Sequence, residues 1–263
     1  MIALLLLACN PYADLTDRWS ATWDACEPEA IVGEPDPYAL DATLSAPCQD
    51  ALLDDFHVDR TSLAQVPATD DHPSLEACFL TSAYALLTRD AGGLANTAPG
   101  DGVYDIYLDE LQEVIGQVGG ESHRQLTYNY AAGFTAAVTA EALDSGVLAY
   151  TDADGLHLAA DATDECGVEL AHLLFHESGH ARLDGHIPCP EGFTLTDCPD
   201  CADVAPSVCD AGETGTFALE ASLLAVWAKA CDPEVEAETC GYLEEMGAAV
   251  RGRVGVQAKN RHR

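Results

Sequence analysis

The segment from Cys166 to Cys189 carries two histidines four residues apart at the end of an apolar run. Residues four apart lie on one face of an α-helix, about one turn from each other. His176 and His180 can therefore direct two ring nitrogens at one metal ion, and Glu177 places a carboxylate beside them. The apolar residues that lead into the pair are Val168, Leu170, Ala171, Leu173, Leu174 and Phe175. The pattern predicts a buried metal-binding helix around which the rest of the chain packs.

A catalytic zinc site needs a third protein ligand and a fourth position left open for water. His186 stands ten residues after His176, and Asp184-Gly185 before it is a turn signal. A left-handed glycine there would end the helix and return His186 to the ion. The alternative third ligand is Glu220, which lies in an apolar helical stretch where a carboxylate needs a cation or donors. We favour His186 because its tight local spacing is the rarer event.

The sequence His176-Glu177-Ser178-Gly179-His180 resembles the HExxH signature of the zincin metallopeptidases. The offset of His186 is similar to that of the third histidine in the metzincin pattern HExxHxxGxxH. Leu183 occupies the position of that pattern's glycine, so the spacing here is HExxHxxxxGH. The resemblance implies a Zn²⁺ ion on His176, His180 and His186, with Glu177 as the general base that takes a proton from water.

The resemblance also implies an activity, the zinc-dependent hydrolysis of peptide bonds in a peptide or protein substrate. Glu220, forty residues after His180, is similar in position to the downstream glutamate ligand of gluzincins. Two alternatives stay open. The chain could be a non-catalytic envelope lipoprotein in which a structural or vestigial metal site serves a binding module, or a metal-dependent hydrolase that acts on another bond.

The amino terminus predicts the location of the protein. Residues 1–8 are almost wholly apolar, and Leu6-Leu7-Ala8-Cys9 resembles a bacterial lipobox. This resemblance implies that residues before Cys9 are removed, that Cys9 is lipidated, and that the protein contacts a membrane of the bacterial cell envelope through that anchor alone. Residues 10–263 are expected to form one domain, with a helical lobe in 10–145 and the metal site in 146–263.

Ten cysteines remain once Cys9 is set aside, and an even number is typical of up to five disulfides formed in an oxidising compartment. A four-thiolate zinc site is the alternative for part of this set. The cysteines of that alternative are Cys189, Cys198, Cys201 and Cys209.

The net charge is −34, from 45 acidic and 11 basic residues. Such a field repels nucleic acid, which is excluded as a partner class. It attracts cations, and it would attract cationic substrates if the cleft shares the same bias.

Periodicity predicts a mostly helical α+β fold with a small upstream hairpin and a disulfide-rich loop, and the resemblance to zincins implies that the motif helix is a zincin-like active-site helix. The hairpin is expected within 146–160 around the turn 152–155, in the position of the edge strand that lines the cleft in zincins. His172 lies off the metal face and is expected to support or pack; His157 is expected to be structural. The predicted helices are 10–26, 47–56, 73–89, 103–118, 122–143, the stretch around Glu220 and 236–250, with a cysteine-rich loop over 188–215 walling the cleft and a basic tail over 251–263.

Overall fold

The structure is a computed structural model that describes residues 13–28, 35–89, 123–143, 147–181, 183, 185–189, 208–210 and 215–254. Most of the described chain is helical, with two small sheets, which confirms the predicted α+β class. The α-helices in these ranges are α1 (Ala13–Cys26), α2 (Leu40–Thr43), α3 (Ala46–Asp55), α4 (Arg60–Leu63), α5 (Leu75–Thr88), α6 (His123–Phe134), α7 (Val168–Gly179), α8 (Thr216–Ala230) and α9 (Ala237–Gly252). The strands are β1 (Val138–Ala140), β2 (Ala149–Thr151), β3 (Leu156–Leu158), β4 (Ile187–Pro188) and β5 (Val208–Cys209), and a 3-10 helix spans Ala160–Asp164.

Helix α7, which carries the two motif histidines, is the central element of the core. It packs against α5, α6 and α8, and strand β2 also contacts it. Leu170, Leu174 and Phe175 are fully buried. Each such side chain contributes roughly 1.5–3 kcal/mol relative to an exposed one, so the helix is held rigidly on several sides.

Helix α5 confirms the helix predicted over 73–89. It begins after Ser74, whose hydroxyl accepts a hydrogen bond from the amide of Ala77. This bond satisfies one of the amide groups that the first turn of a helix leaves without a partner.

The three-stranded sheet lies beside the motif helix, with strand order β1-β3-β2. Strands β2 and β3 are antiparallel, with Tyr150 opposite His157, which confirms the predicted hairpin. Strand β1 adds in parallel on the other side of β3. Strand β2 is therefore an edge of this sheet.

The helix predicted over 122–143 is wrong in its second half. Helix α6 ends at Phe134, and β1 follows it. Val138 bridges to Val58, while Leu156 donates its amide hydrogen to the carbonyl of Ala137. These partners lie far away in the chain, and their main-chain hydrogen bonds outweigh the weak helical preference of the β-branched residues here.

Disulfides join distant parts of the described chain. The pairs are Cys26–Cys48, Cys78–Cys166, Cys189–Cys209 and Cys231–Cys240. The four-thiolate zinc site is thereby wrong, because Cys189 and Cys209 are bonded to each other. Disulfides of this number are typical of an oxidising, extracytoplasmic compartment.

The Cys78–Cys166 bond ties α5 to the start of α7 across 88 residues, whereas Cys231–Cys240 spans 9. Chain entropy predicts that removing the longer link costs about 4.5 kcal/mol and the shorter about 2.5 kcal/mol. We expect the double variant Cys78→Ser/Cys166→Ser to lose more unfolding free energy than Cys231→Ser/Cys240→Ser, measured by urea denaturation. Equal losses would contradict this order.

Several predictions lie outside the described residues. They are the lipidation of Cys9, the helix over 103–118, most of the loop over 188–215, and the basic tail beyond residue 254. Within the described ranges, the helices fall short of the length and apolar character that crossing a bilayer requires.

Candidate metal centre

Helix α7 presents the predicted ligands from its last turn. His176 and Glu177 are buried, and His180 follows directly as the C-terminal cap residue. Gly179 allows α8 to approach closely at this point, because a Cβ there would lie 3.1 Å from Cγ2 of Thr216. The motif therefore faces the start of α8, and the predicted metal site lies where α7 and α8 meet.

The structure brings His176, His180 and His186 together. Their potential ligand atoms lie within 4.8 Å of one another. The ring centres of His176 and His180 are 5.1 Å apart, and those of His180 and His186 are 4.8 Å apart. The rings of His176 and His180 thus face the same region of space, and His186, the predicted third ligand, reaches that region too.

The chain returns His186 to the pair by a different route from the one predicted. Helix α7 ends at Gly179, and the amide of Leu183 then bonds to the carbonyl of Gly179. Gly185 does not adopt the expected left-handed conformation, since the described glycines with positive φ are Gly155 and Gly167. An added Cβ on Gly185 would meet nothing within 4 Å.

The Nε2 atoms of His176 and His186 are 3.1 Å apart. The Nδ1 atom of each ring faces a carboxylate, Glu220 at 2.7 Å for His176 and Asp210 at 3.0 Å for His186. A carboxylate can only accept a hydrogen bond, so both Nδ1 atoms carry hydrogen and both Nε2 atoms of the neutral rings carry lone pairs. Two lone pairs at this distance repel each other unless a proton or a metal ion lies between them.

A metal ion fits this arrangement. Zinc–nitrogen bonds of 2.0–2.1 Å in tetrahedral geometry separate two ligand nitrogens by about 3.3 Å, close to the distance between these Nε2 atoms. Metal-binding histidines commonly donate their other ring N–H to a carboxylate, which fixes the tautomer and the ring orientation. His176 and His186 both have this partner. The donor set of three imidazoles suits Zn²⁺.

Asp210 holds His186 and the start of α8 at the same time. One carboxylate oxygen, Oδ1, accepts from His186, while Oδ2 accepts from the amides of Phe217 and Ala218. These amides lie in the first turn of α8, where partners and a negative charge are favoured. Glycine is required at position 215, because a Cβ there would collide with the Asp210 carboxylate.

Sequence reasoning missed Asp210. Strand β4 pairs with β5 so that Ile187 lies opposite Cys209, which makes His186 and Asp210 the next pair along. The Cys189–Cys209 disulfide secures the same register. The signal that could have revealed Asp210 was therefore the pairing of Cys189 with Cys209. The spacing of cysteines in the chain does not show which of them pair. Thr216, whose Oγ1 lies 3.5 Å from Nε2 of His186, was also missed, because its position depends on how α8 packs in the core.

Glu220 lies behind His176 and outside the group of potential ligands. Its Oε2 accepts from Nδ1 of His176 and its Oε1 from Nδ1 of His172, both at 2.7 Å. The hydroxyl of Tyr242 lies 2.8 Å from Nε2 of His172. These contacts give His172 the supporting role predicted for it. They make Glu220 a hydrogen-bond partner of His176, one of the predicted metal ligands.

Charges in this network explain the direction of each shifted pKa. Burial opposes the charged form of Glu220, but the positive charge of His176 and hydrogen bonds from His172 and His176 lower its pKa to about 2. Burial also opposes charge on His176, yet the Glu220 carboxylate raises its pKa overall. The His176–Glu220 pair thus favours a positive charge at His176, which a proton supplies in the metal-free protein and a bound metal ion would supply in its place.

His180 and Glu177 form the open side of the site. Burial, together with the positive charges of His176 and His186, lowers the pKa of His180 to about 4, so the ring is neutral and able to bind metal near neutrality. Burial raises the pKa of Glu177, against the opposing effects of His176 and of the nearby Thr151 hydroxyl. Glu177 Oε2 lies 4.0 Å from Nε2 of His180 and, like Thr151 Oγ1, is buried without a well-formed hydrogen bond.

The substitution Glu220→Gln should weaken zinc binding by about 10–100-fold, because an amide cannot accept from both imidazoles at once. Competition with a chromophoric chelator measures this. The matched control is Glu245→Gln, which changes an exposed glutamate of α9 and should leave affinity at the wild-type value. Equal affinities of wild type and Glu220→Gln would show that the carboxylate does not support the ligand.

The same residue predicts a pH dependence in the metal-free protein. A carboxylate whose pKa falls from 4.5 to about 2 on folding stabilises the fold above about pH 4.5, and this contribution is lost as the pH falls towards 2. The difference in unfolding free energy between wild type and Glu220→Gln should therefore shrink by on the order of 3 kcal/mol over that interval. Urea denaturation with a chelator present measures it, and a constant difference would contradict the assignment.

The three histidines predicted as metal ligands form the cluster, whereas His157 lies elsewhere. His157 stacks on Tyr150, and its ring nitrogens contact Thr139, Glu141 and Asp152. No protein-family model, curated protein or solved structure matches the chain, so the assignment of this site rests on its own geometry.

Proposed function

We propose that the protein is a zinc-dependent peptidase. The observation that carries the proposal is the convergence of two carboxylate-backed Nε2 atoms, with His180 as a third donor, beside a buried glutamate oxygen that has no well-formed hydrogen bond among the described residues. Zinc held by these residues would polarise a substrate carbonyl and lower the pKa of a water molecule to about 7.

Each residue of the site has one role in this proposal. His176, His180 and His186 hold the ion, while Glu220 and Asp210 keep two of the rings in the binding tautomer. Glu177 takes the proton from the attacking water and passes it to the leaving amine. Its raised pKa suits this role, because a general base works best when its pKa is near the working pH.

The open side of the site favours catalysis over a structural metal. A structural zinc site is closed by four protein ligands. Both oxygens of Glu220 are engaged with Nδ1 atoms, and among the described residues the group at this centre contains three histidines. A zinc ion held by these three histidines alone would keep a fourth position for water. The same geometry would also serve hydrolysis of a different carbonyl bond, and the test below distinguishes that case.

The location we propose is the bacterial cell envelope, with the chain anchored by a lipid on Cys9. The disulfides support an oxidising compartment. The lipobox-like sequence Leu6-Leu7-Ala8-Cys9 supports the anchor. Labelling with a radioactive fatty acid, compared between wild type and Cys9→Ser, tests it.

The decisive experiment combines metal analysis with a mixed peptide library. We expect about one zinc per chain after dialysis against zinc, peptide cleavage that a chelator abolishes, and recovery of cleavage when zinc is restored. Bound zinc without cleavage of any peptide would contradict the peptidase and leave the binding protein or the hydrolysis of another bond. Failure to bind zinc would contradict the site itself.

A further inference from the structure

A cavity of about 190 Å³ opens beside the metal centre. Its walls come from the end of α6, from the turn between β2 and β3, and from the end of α7. Glu177 and His180 both line it, so a molecule in the cavity lies next to the residues proposed to carry out the reaction.

Two polar atoms in this cavity have only each other as a weak hydrogen-bond partner within the described chain. Glu177 is only 7% exposed, and its Oε2 has no well-formed hydrogen bond. Thr151 Oγ1, on the edge strand β2, is also buried without a well-formed hydrogen bond. Buried polar atoms whose hydrogen-bonding capacity is largely unused are costly, so their presence here points to a ligand that uses it.

The wall of the cavity is mainly apolar, and Asp152 adds a second carboxylate to that of Glu177. Phe134, Leu156 and Ala181 supply apolar surface, and Asp152 supplies its carboxylate from the end of β2. Two contacts orient Asp152 Oδ1, the amide of Asp154 at 2.8 Å and Nε2 of His157 at 3.0 Å. With the backbone of Gly155 as a third partner, the carboxylate still has room for a further donor, since it has about four acceptor positions.

The turn that carries Asp152 is fixed in place. Gly155 has a φ of +141°, a value that favours glycine, and a Cβ there would lie 2.6 Å from the carbonyl oxygen of Ala137. The turn is therefore pressed against the segment that follows α6. Asp152 accordingly keeps a defined position at the cavity.

We propose that this cavity binds a lysine or arginine side chain of the substrate, next to the bond that is cleaved. The inference rests on the proposed function and adds a substrate class to it. A long basic side chain can lay its methylene groups along the apolar wall and bring its charged end to Asp152. Glu141, which contacts His157 on the same sheet, adds negative charge there. The net charge of −34 acts in the same direction, because it disfavours acidic substrates.

The test uses the zinc-loaded full chain and a peptide library with every residue varied at each position, read by mass spectrometry. We expect cleavage sites to be enriched in Lys and Arg at one position flanking the cleaved bond. The substitution Asp152→Asn should lower the ratio of kcat/KM for a basic peptide to that for its leucine counterpart by about fivefold, as a partly exposed ion pair contributes about 1 kcal/mol. Asp152→Lys should reverse the preference towards Glu.

The control is Asp161→Asn, which removes one exposed carboxylate from the 3-10 helix and leaves the cavity wall unchanged. This variant should keep the wild-type ratio. Cleavage without basic preference, or an unchanged ratio in both Asp152 variants, would overturn this inference and leave the peptidase standing. Absence of cleavage by the zinc-loaded wild type would overturn both proposals.

Discussion

Zinc-loaded Glu177→Gln is expected to cleave peptides about 10²–10⁴-fold more slowly than wild type, because general-base catalysis contributes on that scale. Glutamine keeps the size of the side chain but cannot accept the proton of the attacking water. The three imidazoles are untouched, so the variant should bind zinc with wild-type affinity. Initial rates on a peptide identified from the library measure the first effect, and chelator competition measures the second.

The control for this variant is Glu169→Gln, the same substitution in the first turn of the same helix. It tests whether losing a negative charge from α7 is sufficient to slow the reaction. We expect its rate to remain within about twofold of wild type, since the half-buried Glu169 lies eight residues before Glu177 and does not line the cavity beside the histidine cluster. A Glu177→Gln enzyme that cleaves at the wild-type rate would exclude Glu177 as the base.

His186→Ala is expected to weaken zinc binding by more than about 100-fold, beyond the 10–100-fold range for residues that only support a ligand. The alanine removes one of the three donors and leaves Asp210 without its imidazole partner. Glu220→Gln should fall between His186→Ala and wild type. Titration of each metal-free protein with zinc against a chelator gives all three affinities under the same conditions.

The control is His72→Ala, which removes a half-exposed imidazole paired with Asp164. It should bind zinc as wild type does. If His186→Ala retained wild-type affinity while Glu220→Gln lost binding altogether, the third ligand would be Glu220, and the positions of these side chains around the ion would have to differ from those described.

The local parts of the site could be predicted because they depend on short-range geometry. His176 and His180 are four residues apart, and the rise and turn of a helix alone place them on one face. The apolar residues before them predict burial of α7, and the turn at 152–155 predicts the hairpin of β2 and β3. Each of these features is complete within about twenty residues of chain.

The third ligand was a choice that spacing could not settle. Both His186 and Glu220 were candidates, and each lies next to His176 in the structure, on opposite sides of its ring. Which of them faces the other two histidines depends on how α8 packs against α7. That packing is a property of the whole core, and the spacing of the two residues in the chain does not contain it.

Taken by itself, the sequence determined the helix that carries the paired histidines, the residues that could hold a metal ion, the acidic composition and the expectation of an oxidising compartment. The tertiary structure decided which cysteines pair, that the chain after α6 becomes β1, and that Asp210 and Glu220 stand behind two of the histidines. The physical reason is the same in each case. Helical periodicity and composition act between neighbours, whereas strand register, disulfide partners and buried carboxylate contacts join residues whose separation in the chain carries no information about their distance in space.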